Sequence, residues 1–548
     1  MMGFKEIYKL KINLTRQNKA LFFLICTLLA IGISQFRNYG LGVDEPYMRR
    51  HGASTAKYIL GIFFPSLLND FKDIPYYHTL NQLETSQDRT HGTVFELPLT
   101  AIEATFNLTN NLQLLYYVRH MVTFAFCAIG MLVVFKYLLW RLKSVIVGIV
   151  GIGILLFSPR LFAEYFYNSK DAVFMFAYAT AIVFSIRFLF SPRKLTSITA
   201  AFFCAYAINI RPIALIIPII IIMFFLIRKF YFKMQNYIIK EVITFLSMII
   251  LFIYVLWPYL WANPLERFME VAFLLSNYDL VGNLQVLTNG QYISAQSQPW
   301  YYLFIWMGVT TPIFYLIIII LGFTIQLSRF LNLNYFKKVL INNELSADML
   351  IFIYAVLPVI IIILTKSTLY DGWRHFYFIY TPLVILGLTN WMPVQHWLKT
   401  KNVFLSLILI YSMYASITLN ALWIYNNRPL QNVYFNYLAG SDIRSKWEMD
   451  YWGLGNRQAL QFILNYSQKN KINIAQGSSM QLYRSSYMFS KQEATRMNFV
   501  DEWSEADFLI TNYRGVKPEA DYKYEVLFEP VFRKWVGNAN VYTIYKKK

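Results

Sequence analysis

Charge is what this chain has least of. Asp, Glu, Lys and Arg make up 15% of its 548 residues, against 57% apolar and 18% aromatic residues, where a soluble domain carries about 25% charge. An ordinary soluble fold is therefore excluded. Cysteine is nearly absent, and Cys26, Cys127 and Cys204 all fall in apolar segments. That placement suits small packing residues and argues against a disulfide framework or cysteine metal site. Acidic residues are scarce, 30 against 50 basic ones, which leaves a net charge of +20. No aromatic-basic interleaving in a soluble domain accompanies that excess, so it reads as a membrane-orientation signal and not as affinity for nucleic acid. The six histidines show no His-Glu-x-x-His or similar spacing, so no metal and no other cofactor is expected. Internal repeats and low-complexity segments are also missing.

What the chain has instead is apolar length. Runs of about 17 to 25 residues recur, each long enough to cross hydrocarbon. Spans are expected near residues 20–36, 113–139, 145–163, 171–190, 195–210, 212–227, 242–260, 301–327, 347–365, 376–395 and 402–424, about eleven transmembrane helices in all. Lys5, Lys9, Lys11, Arg16 and Lys19 precede the first run, and no small-residue cleavage site follows before Asp44, so an uncleaved span is expected. With the N-terminus cytoplasmic, every short cytoplasmic loop is basic: Lys136, Arg141 and Lys143; Arg187, Arg193 and Lys194; Arg228, Lys229, Lys233 and Lys240; Arg329, Lys337 and Lys338; Lys399 and Lys401. Residues 37–112 and 261–300 then become long outer loops of a transmembrane domain covering 1–425. Everything after 425 lies outside the cytoplasm.

The first outer loop reads as an interfacial helix from Tyr47 to Leu68, with Ile59, Leu60, Ile62 and Phe63 toward the bilayer and Arg49, Arg50 and Lys57 toward headgroups. The tail, 426–548, mixes strand-like runs (Ile472–Ala475, Asp507–Thr511, Val541–Tyr545) with helical spacing between Asn456 and Gln468. A small extracytoplasmic α/β domain follows from that alternation.

The stretch from Leu41 to His51 stands out, because Asp44 and Glu45 are adjacent carboxylates at a membrane surface, where burial and mutual repulsion both favour protonation. Two readings fit the spacing equally: proton or cation chemistry, or a cap on a helix starting near Pro46. Further polar clusters gather on the same face. They are Ser158-Pro159-Arg160 with Glu164, Asn168, Lys170 and Asp171; Asn209-Ile210-Arg211-Pro212; and Lys366 with Tyr370-Asp371-Gly372-Trp373-Arg374-His375. Each alone is an ordinary snorkelling anchor. Together they describe a site at headgroup depth holding both carboxylates and cations. Transfer of a sugar from a lipid phosphate needs that mixture: a carboxylate to take the acceptor's proton, and Lys or Arg aimed at the departing phosphate.

These residues resemble a family. Asp44-Glu45-Pro46 after the first span is similar to the first-loop motif of GT-C glycosyltransferases, in particular the bacterial protein-mannosyltransferase and lipid A aminoarabinose-transferase group (glycosyltransferase family 39-like). Asn168-Ser169-Lys170-Asp171, Pro299-Trp300-Tyr301-Tyr302-Leu303, Thr310-Thr311-Pro312, the Tyr370–His375 run and Asp450-Tyr451-Trp452-Gly453 after Tyr434-Phe435-Asn436 extend the resemblance over most of residues 20–455. It implies a multi-pass protein of the bacterial inner (plasma) membrane with its active site on the extracytoplasmic (periplasmic) face. The implied donor is a polyprenyl-phosphate-linked sugar, the acceptor a cell-envelope glycolipid or polysaccharide, and the outcome inversion at the anomeric carbon. It further implies Asp44 as general base, Glu45 as its support or acceptor contact, and Asp171 in an orienting role. Lys170 and Arg374 would hold the donor phosphate, with Arg160 and Arg211 as further phosphate candidates. His375, Tyr370, Asp371 and Glu96 are the substrate-binding candidates.

Three other readings remain, one of them a degenerate, binding-only member that recruits partners through its outer tail. A transporter or lipid-carrier flippase also buries charge among spans, but it tends to place ionisable pairs near the midplane and to show repeated halves. Within the enzyme class, a protein O-mannosyltransferase is the alternative, although residues 261–300 are too short for the folded domain found in the eukaryotic members.

Overall fold

A computed structural model describes residues 4–68, 83, 89–232, 237–276, 284–516 and 522–548. The chain is a polytopic, largely α-helical protein with a small β-rich region at its C-terminal end. Among the described residues eight helices are long and apolar enough to cross a membrane, or nine if a bent pair counts as one span. The chain thus reads as a multi-pass membrane protein.

Each of the apolar runs in the sequence forms helix, and their ends explain where the site lies. The run at 145–163 bends by 74° between Val145–Leu156 and Pro159–Tyr167. Pro159 lacks the N–H that would continue the ladder, so the chain turns there and carries Arg160 and Glu164 inward. Proline also divides the run at 301–327: a short helix, Tyr302–Thr310, stops before Pro312, and Ile313–Phe330 continues as a separate span. The Pro299–Leu303 stretch leads into the first of these two helices. The run expected at 376–395 lies within a 25-residue helix, Tyr377–Lys401.

The helix Glu45–Phe63 has two characters. Its first half is buried, while Ile62, Phe63 and the following Phe64 are about half exposed, as expected of an interfacial segment. Arg49 departs from the headgroup role: it is buried and pairs with Glu103 at 2.8 Å. A long charged side chain this close to the core is held by a carboxylate rather than by lipid.

The tail folds into a five-stranded mixed sheet in the order Met497–Val500, Ile472–Gln476, Phe508–Thr511, Ala539–Lys547, Phe528–Val536. The first three strands are parallel and the last two form an antiparallel ribbon. Gly455–Tyr466 packs on this sheet through Ala459, Leu460, Ile463 and Leu464. One hydrophobic core runs from the membrane helices into this region. Polar ties reinforce the joint: Arg457 donates to the carbonyls of Arg37 and Tyr39 and to the Tyr117 hydroxyl, and Gln113 donates to the Met488 carbonyl.

Candidate functional site

The Leu41–Glu45 turn is fixed from both sides. Glu45 accepts the Gly42 amide at 2.7 Å and meets His120 Nε2 at 3.0 Å, while the Val43 amide donates to the Trp452 carbonyl. Asp44 occupies the N-cap position, yet its side chain makes no capping hydrogen bond. It turns instead to Arg374, which donates from Nη1 at 2.7 Å. Capping therefore gives way as the role of Asp44.

The next contribution comes from the turn that opens the Asp171–Phe190 helix. Asn168 Oδ1 accepts the amides of Lys170 and Asp171, at 3.2 and 2.7 Å, a side-chain-built turn of the kind Asn favours. Asn168 Nδ2 donates to Glu164 and to Asp171. Glu164 in turn accepts Trp452 Nε1 at 2.9 Å and the Tyr377 hydroxyl at 3.1 Å. Ser169 donates to Glu96, which pairs with Arg119; Arg119 also holds Glu103. This buried acid–base ladder braces the turn from behind, so Lys170 and Asp171 reach the site from a rigid base.

Arg374 is the hub. Besides Asp44 it lies 3.9 Å from Asp171 and 3.5 Å from Asp371, and its guanidinium sits 4.8 Å from the ring centres of both Tyr370 and Trp452. Asp371 (φ +57°) and Gly372 (φ +70°) are both left-handed, a tight reversal that aims Asp371 and Arg374 at the same space. Burial opposes the Arg374 charge, but Asp44, Tyr370, Asp371 and Asp171 outweigh it and hold its pKa above the ordinary arginine range. His375 and His91 move the other way. Burial pushes both well below the usual histidine value, helped by Arg374 beside His375 and by Lys170 beside His91. Both rings are therefore neutral at pH 7.

Two cavities meet at the Asp44–Arg374 pair, and Asp44, Tyr370 and Arg374 line both. One, about 320 Å³, combines Lys170, Asp171, Arg211 and His375 with an apolar wall that includes Ile361, Ile362 and Phe378. Arg211 closes on Asp171 in a direct ion pair. The other cavity, about 430 Å³, opens toward the tail and is rimmed by polar groups, among them Asp371, Asn456, Gln481, Arg484 and Arg514. Both are of a size that holds small-molecule ligands.

Most of the sequence-derived candidates thus converge: Asp44, Lys170, Asp171, Arg211, Tyr370, Asp371, Arg374 and His375 all line one or both cavities. Glu45, Glu96 and Arg160 line neither. Glu45 and Glu96 belong to the bracing described above. Arg160 is fully buried between the rings of Trp306 and Phe435, 5.5 and 5.1 Å from their centres. Among the described residues no group of three or more His, Cys, Asp or Glu is arranged to hold a metal ion.

Sequence reasoning missed the residues that the tail supplies. Arg514 pairs with Asp371 at 2.8 Å, approaches Glu448 at 3.4 Å and donates to the Tyr451 carbonyl. Arg484 lies 4.4 Å from the centre of the Tyr47 ring. Both follow parallel strands, Arg514 after Phe508–Thr511 and Arg484 after Ile472–Gln476. Loops beyond the carboxyl ends of parallel strands are the usual ligand-binding loops of such sheets, and that is the signal by which they could have been found. The chain matches no protein-family model and no curated protein.

Proposed function

We propose that the chain is a GT-C-like membrane enzyme of about eleven transmembrane helices that transfers a sugar from a polyprenyl-phosphate carrier to a cell-envelope glycolipid or polysaccharide. The observation that carries this reading is the shared wall between the two cavities. The Asp44–Arg374 pair separates a space with cationic head and apolar wall from a polar space facing the tail. A lipid-linked phosphate suits the first, since Lys170 and Arg211 offer charge-assisted donors beside a surface that accepts hydrocarbon. A hydroxyl-bearing acceptor suits the second.

The reaction follows from that arrangement. The acceptor hydroxyl gives its proton to the Asp44 carboxylate while its oxygen bonds to the anomeric carbon. The bond from that carbon to the phosphate oxygen breaks with its electron pair, through an oxocarbenium-like transition state, and the configuration inverts because attack and departure occur on opposite faces. Arg374, Lys170 and Arg211 meet the charge that builds on the phosphate. Asp171, held by Arg211 and near Arg374, orients both cations.

Mass spectrometry of lipid co-purifying with the protein, followed by transfer assays with that lipid, tests the proposal. A polyprenyl phosphate carrying a sugar that is consumed by wild-type protein supports it. Co-purification of no such lipid, together with no transfer from added polyprenyl-phosphate sugars, overturns it.

A further inference from the structure

The helices that carry the site at one end enclose another cavity at the other. It measures about 440 Å³, and Lys136, Tyr137, Trp140, Ile186, Arg187 and Phe190 are among its lining residues. Asp171 begins the 20-residue helix that Phe190 ends, so this cavity lies about 30 Å from the Asp44 site, one hydrocarbon thickness away. The positive-inside pattern assigns its face to the cytoplasm.

Its cations are unspent. Among the described residues no carboxylate and no hydrogen-bond acceptor engages the side chain of Lys136 or Arg187. The nearby acids are taken: Arg141 holds Asp348 at 2.5 Å and Glu344 at 3.5 Å, and Lys143 lies 3.9 Å from Glu344. The Tyr137 hydroxyl is buried without a hydrogen-bond partner. Arg228 adds charge behind the cavity, with its guanidinium 5.4 Å from the centre of the Phe190 ring and hydrogen bonds to Ser346 at 2.7 Å and Asn343 at 3.4 Å. Its Nε is likewise buried and unpartnered. Lys136 and Arg187 are exposed at the mouth of the cavity and, among the described residues, tied to no carboxylate, and beside Trp140 and Phe190 they suit an anion attached to something apolar.

We propose that this cavity binds the phosphate of an anionic membrane lipid in the leaflet opposite the Asp44 site. Lys136 and Arg187 hold the phosphate, and Trp140 and Phe190 lie along the first acyl carbons. Basic pockets between spans on the cytoplasmic side bind anionic headgroups in this manner. The site stands independently of the transfer reaction proposed above.

Native mass spectrometry of the full-length protein, titrated with phosphatidylglycerol or phosphatidylcholine after delipidation, tests it. Wild-type protein should retain phosphatidylglycerol in preference, and K136Q/R187Q should weaken that binding roughly 25-fold, about fivefold per basic side chain. K136R/R187K keeps the charges and should keep the lipid, which separates lost charge from lost fold. R193Q/K194Q removes basic residues of the same face that do not line the cavity and should change little. The proposal falls if K136Q/R187Q binds phosphatidylglycerol like wild type, or if R193Q/K194Q weakens it equally. It also falls if millimolar inorganic phosphate displaces the lipid, because the cavity would then take free phosphate.

Discussion

Arg374 donates to Asp44 at 2.7 Å across 330 positions of sequence, and the two side chains differ sharply in exposure. The Asp44 side chain is 35% accessible while that of Arg374 is 6% accessible. The carboxylate is therefore open to a ligand on one edge and anchored on the other.

That asymmetry makes Asp44 the group whose loss should be felt most in chemistry and least in folding. Asp44→Asn should slow sugar transfer from a purified lipid donor by about 10²–10⁴-fold, the usual contribution of a general base. Thermal unfolding should stay near wild type. Transfer at an undiminished rate by the folded variant would remove Asp44 as base.

For Arg374 the expected loss is electrostatic. Arg374→Ala should cost about 2–4 kcal/mol of transition-state stabilisation, read from kcat/KM. Arg374→Lys keeps the charge but cannot span Asp44, Asp371 and Asp171 together, so it should recover only part. Equal kinetics for both variants and wild type would take this residue out of the site.

Of the contacts the tail makes with the site, the Arg514–Asp371 pair is the most direct to test. Arg514→Ala breaks the buried pair with Asp371 and should lower stability by about 3 kcal/mol, since Arg374 still partners Asp371 from 3.5 Å. Adding Asp371→Asn removes the stranded charge, so the double variant should be more stable than the sum of the single changes. Additive losses in thermal unfolding would show that the two do not interact.

Stability should also depend on pH near this joint. Burial pushes the Glu448 carboxyl up to about 7, although Arg514 beside it pulls the other way. A raised folded-state pKa means that the unfolded chain releases its proton first. The stabilisation is therefore full below the unfolded value, near 4.3, and is lost as pH rises through about 7. Glu448→Gln should abolish this loss, making the variant more stable than wild type at pH 8 relative to pH 5, by on the order of 2–3 kcal/mol. Unfolding temperatures measured at both pH values decide it, and identical pH profiles would refute the assignment.

The proposed sidedness can be tested at the same joint. Because Arg514 and Arg457 tie the tail to the Asp44 face, a reporter fused after Asn426 should report the extracytoplasmic side. A cytoplasmic signal would place the Asp44 site inside the cell.

Much of this was legible in the chain itself. Apolar runs of spanning length dictated the helices, because unpaired backbone groups are not tolerated in hydrocarbon. The polar clusters at one end of those helices stood out in the sequence as well, but the run at 145–163 was expected as one span and in fact bends at Pro159. Three of the tail's five strands and its amphipathic helix could also be read from their periodicity, whereas Met497–Val500 and Phe528–Val536 were not expected. What no local pattern encodes is which charges neutralise one another. Arg49 was expected at the headgroups and Glu96 at the substrate, yet both are buried in one ladder, whereas Arg514 lies in an unremarkable loop yet reaches Asp371. Ion pairing depends on distances between segments far apart along the chain, and those distances are set only when the helices and the sheet pack.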